Sequence, residues 1–116
     1  MNSTLYYVHD PMCSWCWGFR PVWDQLKAEL PSSVTVENLL GGLAADSNHP
    51  MAKDMQEAIQ GHWHKIHQQL GTEFNFDFWT NNQAKRSTYP ACRAVIAAKA
   101  QHCEEQMIDA FSVGFV

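Results

Sequence analysis

Thr4-Leu5-Tyr6-Tyr7-Val8-His9-Asp10-Pro11-Met12-Cys13-Ser14-Trp15-Cys16 decides how this chain is read. Residues 4–8 are aromatic and β-branched, which predicts a strand. His9 to Met12 predict a turn, and a helical pattern begins at Ser14. Cys13 is thereby placed at the N-terminus of a helix that follows a strand. Unpaired backbone N–H groups and the helix dipole favour an anion at that position. Such a setting lowers a thiol pKa from about 8.5 to roughly 3.5–7.5. The Cys13/Cys16 pair therefore points to a redox-active dithiol.

Outward from this block, Phe19, Val22, Trp23, Leu26 and Leu30 share one face of a helix predicted over 14–30. Pro21 lies inside it as a kink, and Pro31 stops it. Residues 34–40 predict a second strand, ended by Gly41-Gly42. Strand, helix and strand in this order predict a β-α-β unit with parallel strands. A polar loop with turn signals at Asp46-Ser47-Asn48 follows. A helix over 51–70 presents Met55, Ile59, Trp63, Ile66 and Leu70 on one face, with Gly71 as its C-cap. Phe74, Phe76, Phe78 and Trp79 then interrupt a polar loop. Their expected role is packing around the helical unit, with lining of a substrate groove as the alternative. A last helix starts at Ser87-Thr88-Tyr89-Pro90 and turns Val95, Ile96, Cys103, Met107 and Phe111 towards a core. The expected organisation is an α/β segment over 1–42 and a helical segment over 43–116.

The chain has 116 residues, 46% of them hydrophobic, which suits one domain with a packed core. Its formal charge is −4, from 8 Lys+Arg against 12 Asp+Glu. No basic patch appears, which argues against a nucleic-acid partner. Apolar runs are too short for a membrane span. Met1-Asn2-Ser3-Thr4-Leu5 shows no positive n-region and no cleavage site, so the expected location is the cytoplasm. In a reducing compartment, Cys-x-x-Cys more often means redox catalysis or metal than a structural bridge.

Three readings of Cys13/Cys16 compete: redox exchange, half of a zinc site, and an incidental buried pair. A structural zinc site needs four ligands, and no second Cys-x-x-Cys is present. Redox exchange is favoured, with no metal and no cofactor. On a continuous helix Cys92 and Cys103 would lie about 16 Å apart along the axis, beyond the roughly 7 Å that a disulfide allows. They read as small buried apolar residues. His62, His64 and His67 supply at most one i, i+3 pair and read as solvated. His9 ends the first strand beside the dithiol. Its imidazolium would favour a Cys13 thiolate, and the Asp10 carboxylate would oppose it. Ser14 and Trp15 lie between the cysteines, with Trp15 expected on the exposed face that meets substrate.

The block from His9 to Phe19, with Pro21, the second strand and Gly41-Gly42, resembles the DsbA-like thioredoxin-fold proteins. The nearest branch is the cytosolic, predicted protein-disulfide isomerases of bacteria. Arg86-Ser87-Thr88-Tyr89-Pro90-Ala91-Cys92-Arg93-Ala94 is similar to the helical region of the same branch. The resemblance runs from about residue 4 to 111. It implies that Cys13 is the nucleophile, Cys16 the resolving thiol and Pro21 the proline of the first helix. It implies a thiol or disulfide substrate, protein or small thiol, and no metal or nucleotide. It also implies that a longer chain is usual, with further strands and a cis-proline loop facing the dithiol. This chain then reads as C-terminally truncated, with an open sheet edge and one uncovered face. The alternatives are a non-catalytic remnant that binds a partner, and a fold-related isomerase or glutathione-dependent transferase. Members of that last group use serine where Cys13 stands.

Overall fold

The computed structural model describes residues 2–116. Two parallel strands, β1 (Ser3–His9) and β2 (Val34–Leu40), pair from Ser3 against Val34 to His9 against Leu40. Helix α1 (Ser14–Glu29) connects them, with Pro21 inside it. The α/β, thioredoxin-like start is thus the one the sequence predicts. Tyr7 and His9 alternate to the same face of β1, and Tyr7 stacks on Trp23 of α1 at 4.1 Å between ring centroids. That stack fixes the helix over the sheet.

Four helices follow: α2 (Lys53–Leu70), α3 (Asp77–Asn81), α4 (Tyr89–Ala100) and α5 (Glu104–Val113). Helix α2 starts two residues later than expected. The Met51 amide is taken by the Ala84 carbonyl at 2.8 Å, which ties that residue to a loop. Gly71 closes α2 at φ 72°, in the left-handed region that glycine enters without strain. The aromatic run holds the short α3, and Phe74, Phe76, Phe78 and Trp79 all surround Trp63.

The single last helix predicted from Ser87 onward is two helices. His102 turns at φ 59°, and the amides of Gln101, His102 and Cys103 bond back to the end of α4. Cys103 becomes the exposed residue before α5 rather than a core residue. Ile96 is also exposed, so it too leaves the predicted core. Cys92 is buried, as expected.

Burial is thin for this length. Trp63, Ile66, Val95, Ala98 and Ile108 are buried, whereas Phe19, Val22 and Leu26 of the expected α1 face are exposed. The described residues expose 7736 Å², against about 6400 Å² for a compact chain of this mass. Their radius of gyration is 15.5 Å, against about 13 Å for a compact domain of this length. Tyr6, Val8 and Leu39 stand exposed on the strands, the uncovered sheet face that the resemblance implied. Two strands offer too little surface to bury the whole apolar stripe of α1.

Gly18 is where α1 meets α2 most closely. A methyl added there would lie 2.7 Å from Ile66 Cγ2 and 3.3 Å from Leu70 Cδ1. Ile66 is fully buried and has no room to give way. Gly18→Ala is expected to cost about 1–3 kcal/mol through overpacking, offset by roughly 1 kcal/mol of helix propensity. The net change is about 0–2 kcal/mol of destabilisation, and a raised urea midpoint would contradict this packing.

Candidate active site

The turn between β1 and α1 is built on Asp10, which is 2% exposed. Its Oδ1 accepts the Met12 amide at 2.8 Å, an Asx-type turn that prepares the helix start. Its Oδ2 accepts the Leu43 amide at 2.9 Å and the Cys92 thiol at 3.6 Å. The Asp10 carbonyl accepts the Cys13 amide at 3.1 Å. One carboxylate thus joins the dithiol turn, the segment after β2 and helix α4. The Asp10-Pro11 pair carried the turn signal, but nothing local in the sequence marks its distant partners. Asp10→Ala would leave the part-buried Met12 and Leu43 amides without their acceptor and is expected to cost about 1–3 kcal/mol. Asp10→Asn keeps one acceptor and should cost less, which urea midpoints of the two variants would check.

Cys13 is the N-cap position of α1 and Cys16 lies one turn into the helix. Both are half-buried and both are free thiols. The Cys13 pKa falls from 9.0 to about 6. The leading cause is a hydrogen bond from the Cys16 thiol, which outweighs burial; the backbone amides of Cys16 and Trp15 add to it. The helix N-terminus that the sequence pointed to therefore contributes, but the partner thiol leads. The Asp10 charge opposes the thiolate, as expected. Cys16 moves strongly upward because it donates to Cys13 and is buried.

Tyr7 was read only as a strand residue. Its hydroxyl donates to the Cys16 sulfur. Burial and the two cysteines push its pKa up to about 12. The available signal was alternation: Tyr7 and His9 must share the face that α1 covers. His9 is 7% exposed and stacks on Tyr7 at 5.0 Å. Burial lowers its pKa, so it does not supply the imidazolium that the sequence reading offered to Cys13. Ser14 is half-buried at the first turn of α1, and Trp15 is exposed.

On the solvent side of Cys13 lies a groove of about 620 Å³, lined by Trp15, Met51, Met55, Trp63 and Trp79 among others, with Arg86 on it. Phe78 and Trp79 thus serve both expectations, packing on Trp63 and lining the groove. His62 also borders it. His64 stacks on Phe76, and His67 Nδ1 lies 2.8 Å from the Thr72 carbonyl. Among the described residues no three His, Cys, Asp or Glu side chains cluster as metal ligands.

No protein-family model matches the chain, and no curated protein matches it. Solved structures do. A "putative protein disulfide isomerase" from Nitrosomonas europaea is 33% identical and superposes with a TM-score of 0.80 over 97% of this chain. The chain has the DsbA-like thioredoxin fold. The cytosolic disulfide reductase DsbM from Pseudomonas aeruginosa is similar at 25% identity, with a TM-score of 0.75 over 97% of this chain. DsbM with GSH matches at 25% identity and a TM-score of 0.73 over 94%. The chain spans about half the length of each, between 52% and 54%. No helix among the described residues is long and apolar enough to cross a membrane.

Proposed function

We propose that this DsbA-like chain is a thiol–disulfide oxidoreductase acting through Cys13 and Cys16. The observation that carries the reading is a thiolate-stabilised Cys13 at a helix N-terminus, open to an apolar groove and backed by a protonated Cys16. Cys13 thiolate attacks a substrate disulfide, forming a mixed disulfide and releasing one thiol. Cys16 then attacks Cys13 Sγ, closing the protein disulfide and releasing the second thiol. Ser14 and Trp15 tune the site at the groove, and His9 borders it from the sheet. The reaction takes no metal and no cofactor. Its partners are a thiol or disulfide protein or a small thiol, and the GSH-bound DsbM supports glutathione as one such thiol. Residues 1–42 form the thioredoxin-like part and 43–116 the helical part, and the cytoplasm is the working compartment.

The test is reduction of insulin by the 116-residue chain with dithiothreitol as electron source. Turnover should exceed the background rate and vanish in Cys13→Ser. A folded chain no faster than Cys13→Ser would sink the reading. The exposed Tyr6, Val8 and Leu39 favour a second reading, a non-catalytic chain that docks a partner on its sheet. That second reading would be favoured by absent turnover in a folded sample.

A further inference from the structure

Resolution by Cys16 needs a proton acceptor. While Cys13 is a thiolate, the Cys16 thiol donates to it. Once Cys13 has joined a substrate sulfur, Cys16 must lose that proton before it can attack. Tyr7 is a donor to Cys16 and holds its own proton tightly. Both Asp10 oxygens are already occupied, by Met12, Leu43 and Cys92. Glu105 also lines the cleft, but its carboxylate is exposed and held by Lys27 and Asn38, which leaves His9 as the candidate. Its Nε2 is buried and has no hydrogen-bond partner, an uncommon state for a buried nitrogen. It shares with Tyr7, Cys13 and Cys16 a cleft of about 30 Å³. That volume holds one or two water molecules.

We propose that His9 Nε2 accepts the Cys16 proton during resolution, relayed by water in the cleft between β1 and α1. This rests on the dithiol reading above. The Cys16 proton passes to Nε2, and the Cys16 thiolate attacks Cys13 Sγ. The Cys13–substrate bond breaks, and the leaving thiolate takes a proton from solvent. The dithiol is thereby oxidised by two electrons and the substrate disulfide reduced to two thiols. The imidazolium then returns its proton to solvent through the cleft. Asp10, Glu104 and Glu105 favour the transient imidazolium, while Arg20 and burial oppose it. Lys27 also faces the cleft, and Tyr7 and the bonded Cys13 are neutral there. Burial keeps the resting imidazole neutral, so one of its ring nitrogens carries a free lone pair at neutral pH.

The experiment mixes the reduced 116-residue chain with bis(2-hydroxyethyl) disulfide, quenches with acid, and follows the Cys13 adduct by intact mass. Adduct formation reports Cys13, and adduct decay reports Cys16. In His9→Asn, formation should be unchanged and decay slowed at least about 100-fold, the low end of general-base effects. Wild-type decay should rise with pH through a midpoint below 6.5, and the variant should lack that inflection. His9→Phe keeps a ring on Tyr7 and removes the partnerless nitrogen. It should match His9→Asn in decay while melting no lower than wild type. Decay within twofold of wild type in both variants overturns the proposal. Equal slowing of formation and decay overturns it as well, because that marks a structural role. No adduct and no protein disulfide in the wild type defeats the dithiol reading and this proposal with it.

Discussion

Iodoacetamide is expected to alkylate Cys13 along a pH curve with a midpoint near 6, against 9.0 for an ordinary thiol. At pH 5 the thiolate fraction is then roughly 900 times that of an unperturbed thiol. Thiolate nucleophilicity falls with its pKa, which takes back a factor of about 16–30 over this shift. The net expectation is labelling about 30–60 times faster than the same cysteine in the urea-unfolded chain. The rate should level off above pH 7, and one still climbing at pH 8.5 would contradict the site as described. Since the Cys16 thiol is the leading cause, Cys16→Ala should move the midpoint upward. The backbone amides alone then hold the thiolate. A pH-dependent stability follows. Cys13 ionises in the folded chain before the unfolded one, so reduced protein should gain stability from about pH 6 to 9. Above 9 the unfolded chain ionises Cys16 while the folded chain resists, and stability should fall again.

Replacing Trp63 by alanine is expected to be the most damaging single change to the helical part. Trp63 is 5% exposed, and its ring meets Phe74 at 4.7 Å, Trp79 at 5.3 Å, Phe76 at 5.5 Å and Phe115 at 5.9 Å. Truncating a buried tryptophan costs about 3–5 kcal/mol. Each lost aromatic pair adds roughly 0.5–1.5 kcal/mol. Typical domains hold only about 5–15 kcal/mol in total, and this one buries little. Circular dichroism should therefore show helix loss or a steeply lowered urea midpoint. A loss below about 2 kcal/mol would mean that the cluster does not hold α2 and α3 together. Leu70→Ala is the contrast, since Leu70 is exposed and should cost little.

Much of the fold lies in local sequence. The second strand could be read to the residue because Val34, Thr35 and Val36 sit between Pro31 and Gly41-Gly42. Gly71 announced its left-handed cap. The break between α4 and α5 carried no such mark. Residues 98–103 contain neither glycine nor proline, and His102 takes the positive φ itself. Pairs that α5 makes with α1, Asp109 with Arg20 and Glu105 with Lys27, reward that break, and they are remote in sequence. The exposed Val22 and Leu26 show the converse. Helical spacing put them on an apolar face, but a two-stranded sheet leaves that face uncovered.

The sequence alone determined the dithiol, its place between strand and helix, and the parallel β-α-β start. Each follows from neighbours along the chain: side-chain alternation, helical spacing, and the proline and glycine that end each element. Only the tertiary structure decided what surrounds the sulfurs. Tyr7 beneath Cys16, a neutral His9, Asp10 bonded across to Leu43 and Cys92, and the groove beyond Trp15 all come from segments brought together by packing. Hydrogen bonds and desolvation act over a few ångströms of space, so the electrostatics of Cys13 could be anticipated in direction from the helix start. Its leading cause, the Cys16 thiol turned onto it, needed the folded geometry.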